Sequence, residues 1–448
     1  MEQMKMIRII RYGVLMAAFI YGSVGFSQLN FVKYGNNPVL TRHTVFGAWD
    51  AIAVSDPQVL WVNDTLRMWY TGVGWLSMSD TSVHQRIGYA WSLDGIDWNP
   101  YPNNPVLDKT DNSWDNKGVE TPTVLIDPTA PPSERFKMWY AGQNVSTDLY
   151  EIGYAYSPDG LHWTKSNQNP VLQVGDSTSW ENGYLEGPSV LLVHDTLRMW
   201  YASVDLTGNG SPTDYTGNIG YAWSLDGIHW NKHPGNPIFT SYNSTTWDQA
   251  SVADPHVIFK DGEYRMFYAG LHTWAQENFK MGYATSKDGI HWSRPVANPV
   301  LETGNPGAWD DEDASYGCAI YNPSIDKYQM WYTGLDTNVL GADLNSFYYD
   351  IGYATADVVL STNQPENQLL DLSIYPIPCG NSLAVEAKNH SQIKSAHFYD
   401  ALGKAVEIPV TFSGKKLYAD TRSLKPGMYF CSVITVNNRV LAGLFFRV

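Results

Sequence analysis

Cysteine is scarce, with Cys318, Cys379 and Cys431 alone in a chain of 448 residues. Three thiols cannot all pair within one chain, so disulfides are not the main scaffold. Cys379 and Cys431 share the C-terminal region, where a bridge between them is open, and Cys318 stands apart. Basic residues are also short, 29 Lys and Arg against 45 Asp and Glu, for a formal charge of -16. Binding a phosphate backbone depends on cations that displace counterions, so nucleic acid is excluded as a partner. No Gly-rich loop follows a strand and opens a helix, which leaves nucleotide chemistry without support. No His/Cys spacing fits a zinc site. Apolar runs are missing too, except one at 14–25 that follows Lys5, Arg8 and Arg11 and ends in Gly25-Phe26-Ser27. That stretch is short for a bilayer span and reads as a signal peptide over 1–27, a retained anchor being the alternative. The mature chain is expected to begin near Gln28, to have no membrane span and to be monomeric.

Aromatic residues are abundant, at 14% with 18 Trp and 29 Tyr, which suits sheet packing or stacking on sugars. Their positions repeat. IGYAWSLDGIDW starts at Ile87, IGYAYSPDGLHW at Ile152, IGYAWSLDGIHW at Ile219 and MGYATSKDGIHW at Met281, and a cut-short IGYATADVV starts at Ile351. Each follows an aromatic run, from RMWYTG at Arg67 to QMWYTG at Gln329. A period of roughly 65 residues lies in the range of propellers and solenoids. Every unit offers short β-rich runs divided by turn residues, so it reads as one four-stranded blade. In the first unit the strands are expected at 58–62, 66–71, 87–92 and 105–107. The Asp94-Gly95 and Asp226-Gly227 pairs suit tight turns that need a positive φ at Gly.

Units one to four end in NNPVL, QNPVL, GNPIF and ANPVL, and the fifth has no such strand. NNPVL occurs instead at 36–40, where it can pair beside the fifth unit and cover its open edge. The expectation is an all-β chain: a five-bladed β-propeller over 28–361 closed by an N-terminal strand. A polar linker over 362–368 then leads to a small β-sandwich over 369–448. SIYPIP at 373–378, YDALGK at 399–404 and LKPGMYFCSV at 424–433 resemble the C-terminal sorting domain of type IX secretion cargo. That resemblance implies the type IX machinery as a partner and a secreted or cell-surface location.

In a propeller the first strand of each blade lines the channel, and the variable loops between strands two and three share a face with its start. The five inner strands begin VSDPQVL, VETPTVL, LEGPSVL, VADPHVI and ASYGCAI. Asp56 and Asp254 precede a proline, and Glu120 and Glu186 stand one residue earlier. Acids converging on one channel push one another's acidity apart, as glycosidic bond cleavage requires.

The fold and these motifs resemble the five-bladed glycoside hydrolases of family 43, with the invertase-like family 32 as a relative. The resemblance implies hydrolysis of a plant or algal polysaccharide or oligosaccharide, with inversion. Asp56 before Pro57 would be the general base, and Glu186 before Gly187-Pro188 the general acid. The second blade of that family supplies an Asp directly before Pro, where this chain has Thr121 with Glu120 beside it. Glu120 is taken as the third catalytic carboxylate and Asp254 as a substrate or tuning contact. His256, His272, Trp75 and Trp274 are candidate sugar contacts, although loop packing explains the two Trp equally well. The acids that follow Trp in all five units, Asp50, Asp115, Glu181, Asp248 and Asp310, read as blade packing. No cofactor is required, and a structural calcium in the channel remains open. A glycoside phosphorylase, which needs basic residues at the mouth, and a non-catalytic carbohydrate-binding propeller are the alternatives.

Overall fold

The computed structural model describes residues 29–448 except 76–81, 206–215, 242–245, 275–277, 296, 336–347, 358–371, 377–378, 388–391, 401–403 and 437–439. The proposed leader and linker therefore lie outside the described residues. The chain divides into two compact units, 1–359 and 360–448.

The first unit is the five-bladed propeller. Its inner strands are Ala53–Val62, Gly118–Ile126, Leu185–Val193, Ser251–Lys260 and Asp313–Asn322. Second strands run over Thr65–Trp75, Phe136–Gln143, Thr196–Asp205, Glu263–Leu271 and Lys327–Leu335. Third strands are Val83–Ser92, Tyr150–Ser157, Thr216–Ser224, Lys280–Ser286 and Tyr349–Asp357. Each Met-Trp-Tyr or Met-Phe-Tyr run is central in its blade and buried on both faces, so it is continuously apolar.

The outer edge of a blade is built from two short pairings, of which the expected fourth strand is the second. In blade one Asn99–Pro100 pairs with the third strand, and Leu107 then makes a single bridge to Ile87. Between them the Asn104 side chain stands in for a backbone rung. Its Oδ1 accepts from the Tyr89 N–H at 2.9 Å and its Nδ2 donates to the Tyr89 carbonyl at 2.9 Å. A proline follows, which has no N–H to offer, so a side chain has to extend the ladder. Asn169, Asn236 and Asn298 do the same at Tyr154, Tyr221 and Tyr283.

The N-terminal segment closes the ring as expected. Asn37 serves the Tyr353 backbone in blade five, Leu40 bridges Ile351, and Val32–Lys33 pairs with the third strand of that blade. Neighbouring blades are also latched through the Asp-Gly turns. The indoles of Trp69, Trp139, Trp200 and Trp331 donate to the carbonyls of Gly160, Gly227, Gly289 and Gly95, at 2.7 to 2.8 Å. Gly95 has φ +83°, which a β-carbon would strain, and the Trp331 ring fills the space that carbon would need. Blade four has Phe267 at the latch position because blade five ends without the turn. The Phe31 ring packs edge-on against Phe267 at 5.8 Å and covers that seam.

The acids that follow Trp are buried packing groups. Asp115, Glu181, Asp248 and Asp310 accept from Tyr140, Tyr201, Tyr268 and Tyr332, and pair with Lys165, Lys232, Arg294 and Lys33. Blade one has Pro100 where that cation would sit, and Asp50 pairs instead with His43 at 2.7 Å.

The second unit has two four-stranded sheets around one core that contains Cys379, Val385, Leu417, Cys431 and Phe445. All three cysteines are buried free thiols, so the open Cys379–Cys431 bridge is not formed.

Candidate active site

Each inner strand loses register with its partner within its first few residues, between Ser55 and Gln58, Glu120 and Thr123, Glu186 and Ser189, Ala253 and His256, and Ser315 and Cys318. The skipped pairs are Asp56-Pro57, Thr121-Pro122, Gly187-Pro188, Asp254-Pro255 and Tyr316-Gly317. These are β-bulges, which re-aim side chains next to the point where pairing breaks. The first residue of each pair has φ between +47° and +54°, a left-handed backbone that costs a non-glycine residue about 1 kcal/mol or more. Four of the five are not glycine, and hydroxyls of adjacent blades hold the bulge N–H groups. Asp56 donates to Thr333 Oγ1 at 3.0 Å, Thr121 to Thr71 Oγ1 at 2.9 Å, and Gly187 to Thr121 Oγ1 at 3.3 Å. Thr121, the departure from the family 43 pattern, is thus a link in this ring, and Glu120 beside it joins the acids.

The residue paired across from each inner position follows the same logic. Glu120 and Glu186 face Ala141 and Ala202, which leave room for a long side chain, whereas Ser55 faces Thr71, whose hydroxyl reaches the Asp56 carboxylate. Asp56, Thr121, Gly187, Asp254 and Tyr316 line one axial cavity, with Gln58, His256 and Cys318 farther along the strands as its floor.

Burial raises the pKa of all four acids. Asp56 is pushed up to about 6 by desolvation, opposed by hydrogen bonds from Thr71, Ser55 and the Thr121 N–H. Glu186 is pushed up to about 7 by desolvation and then by the Asp56 charge. Glu120 is held well above the usual carboxylate range by desolvation and by Glu186 and Asp56, against a hydrogen bond from Tyr150. Asp254 is raised in the same way by desolvation and by Asp56, Glu186 and Asp313, against a hydrogen bond from Tyr316. Asp56 is the best-supplied with donors and so is the natural anion of the group.

The floor is neutral. His256 Nε2 donates to the Ala319 carbonyl at 2.9 Å, and burial pushes its imidazole down to about 4. The Cys318 sulfur lies 3.8 Å from that nitrogen, and burial pushes the thiol up to about 12. Among the described residues no group of three or more His, Cys, Asp or Glu side chains is placed to hold a metal ion.

Trp75, His272 and Trp274 sit on the mouth face, at or just beyond the ends of second strands, and none of them lines the axial cavity. Trp75 packs on Phe46 at 4.5 Å, Trp274 meets Phe279 edge-on at 6.2 Å, and His272 Nδ1 is 2.8 Å from the Thr246 carbonyl. Tyr150 and Tyr316 were missed in the sequence. Tyr316 occupies the same bulge position as Asp56 and Asp254, a signal visible in the aligned strand starts once the fifth blade is compared for residues other than acids. Tyr150 lies just beyond a variable loop and carries no repeat signature; its ring meets Tyr184 edge-on at 5.4 Å.

The raised acids carry a stability cost with a definite sign. A carboxyl whose folded-state value lies above its unfolded one favours the fold at low pH. That benefit is lost as pH rises from about 4 through the folded value. Asp254→Asn is therefore expected to raise the thermal midpoint at pH 8 and to change it little at pH 4. Calorimetric melts at the two pH values measure this, and an equal change at both would contradict it.

Residues 373–444 match the family described as Secretion system C-terminal sorting domain. An uncharacterized protein of Mycobacterium tuberculosis is 29% identical over 187 residues, 41% of this chain and 58% of that protein. A 1,2-beta-oligomannan phosphorylase of a Thermoanaerobacter species is 27% identical over 128 residues, 29% of this chain and 42% of that enzyme. The chain thus spans between 42% and 58% of the length of these curated relatives. The solved BT0996–RGII complex superposes with TM-score 0.57 at 17% identity, over 74% of this chain and 93% of the other. A structure from work on the GH130 family of mannoside phosphorylases, which contains glycoside hydrolases targeting β-1,2 mannosidic linkages in Candida mannan, gives 0.53 at 15% identity, over 75% and 95%. No helix of the described residues is long and apolar enough to cross a membrane. The chain thus joins a propeller of the fold found in glycoside hydrolases to a type IX sorting domain, and it is a secreted or cell-surface protein.

Proposed function

We propose that the propeller hydrolyses glycosidic bonds of a plant or algal polysaccharide or its oligosaccharides. The observation that supports this reading is that Asp56 and Asp254 line the axial cavity while Glu120 and Glu186, which are not among its lining residues, lie close enough for the acids to raise one another, with Asp56 poised at about 6 and Glu186 at about 7. Glu186, the weaker acid of the pair, protonates the glycosidic oxygen as the bond to the anomeric carbon breaks. Asp56 takes a proton from the water that attacks that carbon. Glu120 and Asp254, kept protonated, act as hydrogen-bond donors that orient substrate and maintain the spread between the other two.

Phosphorolysis is the second reading, favoured by the Thermoanaerobacter relative. Phosphate needs fixed cations, and among the described residues no Lys or Arg lines the axial cavity, which supports water as the nucleophile. Turnover of a panel of aryl glycosides and oligosaccharides is expected to be independent of added phosphate and to release free sugar. Strict phosphate dependence with a sugar phosphate product would replace this reading with the second.

The active form has Asp56 ionised and Glu186 protonated. Activity should rise as pH climbs to about 6 and fall above about 7, a narrow bell, and initial rates from pH 4 to 9 measure both limbs.

A further inference from the structure

We infer that the axial cavity selects uncharged glycans and rejects those whose sugar at the cleaved bond carries a carboxylate, sulfate or phosphate. The inference rests on the hydrolase reading of this cavity and names its substrate class. The polar equipment around the axis is one-sided: the Asp56 and Asp254 carboxyls line the cavity, Glu120 and Glu186 lie close enough for their charges to act on these two, and the Tyr150 and Tyr316 hydroxyls bond to Glu120 and Asp254. The one basic side chain among the described residues that line it, His256, is neutral and spends Nε2 on the Ala319 carbonyl.

Cations described on the mouth side of the blades are already matched. Arg42 pairs with Asp350 at 2.9 Å, Lys280 with Glu302 at 2.7 Å, and Lys117 with Asp148; Arg86, the blade-one counterpart of Lys280, is buried, donates to the Trp75 carbonyl at 3.0 Å and lies 3.7 Å from Asp108. The segments 76–81, 206–215, 242–245, 275–277 and 336–347 contain no Lys, Arg or His, so the sequence of the intervening loops supplies none either.

An anionic substituent on the bound sugar would enter beside the Asp56 carboxylate with nothing to neutralise it. Like charges about 5 Å apart at a partly buried site oppose binding on the order of a hundredfold. A neutral sugar meets the opposite situation. Carboxyls that suppress one another's ionisation present both O–H donors and carbonyl acceptors, which match the donor and acceptor pairs of sugar hydroxyls. The same charge pattern favours small polyols that carry a protonated amine.

The test uses the full mature chain and two independent readouts. The first is kcat/KM on matched aryl hexosides and aryl hexuronides that differ only in a C6 carboxylate. The hexuronides are expected to be slower by about a hundredfold or more, and the gap should persist in Glu120→Gln/Asp254→Asn, which leaves the Asp56 charge in place. The second is calorimetric binding of small probes. Inorganic phosphate and sulfate at about 20 mM should show no saturable binding, while protonated Tris should bind about tenfold more tightly at pH 7.5 than at pH 5.5 as the acids ionise. Equal rates on a matched pair, or saturable phosphate binding, would overturn charge selection and leave the hydrolase reading standing. Absence of hydrolysis on every glycoside, with the Tris and phosphate contrast intact, would remove the hydrolase reading and leave charge selection supported.

Discussion

Glu186→Gln is expected to lower kcat on unactivated glycosides by about 10³-fold or more, because an amide cannot protonate the departing oxygen. The loss should shrink on aryl glycosides with acidic leaving groups, which need little protonation. Asp56→Asn should reduce kcat by a similar factor on both substrate classes, since water activation is needed whatever departs. This contrast separates the two roles in one experiment with two substrates. If the two variants respond identically to leaving-group acidity, the assignment of acid and base fails. The fold is not expected to suffer: Asp56 ionises in a site that raises it from 3.8 to about 6, so its neutral replacement relieves about 3 kcal/mol of strain above pH 6. An inactive variant that melts higher at pH 8 would mark the site as one that trades stability for reactivity.

Trp331→Ala is expected to cost about 3–5 kcal/mol, a large share of the stability of a typical domain. Trp331 is fully buried, donates to the Gly95 carbonyl at 2.7 Å and meets Trp98 edge-on at 5.9 Å. It therefore joins the last blade to the first, and its loss leaves a cavity at one seam, with the Trp98 indole as the remaining donor to the Gly95 carbonyl. Phe267→Trp supplies the comparison. No Asp-Gly turn follows the fifth repeat in the sequence, and the Phe31 ring packs on Phe267, so the larger ring should destabilise rather than complete the set. Chemical denaturation of both variants tests the pair, and a Trp331→Ala protein that unfolds within experimental error of the parent would refute the latch.

The ring and its closure were legible because strand count and strand chemistry both repeat: four NPVL-type endings for five aromatic runs leave one partner to find, and 36–40 supplies it. The candidate acids were legible as residue types beside prolines. Their geometry was not, because the left-handed bulge is adopted alike by Asp56, Thr121, Gly187, Asp254 and Tyr316, a set that spans four side-chain types. The bulge is imposed by the blades on either side, through Thr71 and Thr333, whose meaning appears only once neighbouring blades are in contact. The outer edge was read only at its 105–107 end for a related reason: an Asn side chain can imitate backbone pairing, and no propensity scale registers that.

Val32–Lys33 and Leu40 clasp the third strand of blade five, Tyr349–Asp357, which is otherwise the ring's last strand before the chain departs for its C-terminal unit. Tension applied through the tail during export or surface tethering therefore enters a strand gripped on both flanks, by 327–335 on one side and the N-terminal segment on the other. Pulled along its own axis, such a strand must slide against both neighbours at once, so its bonds share the load.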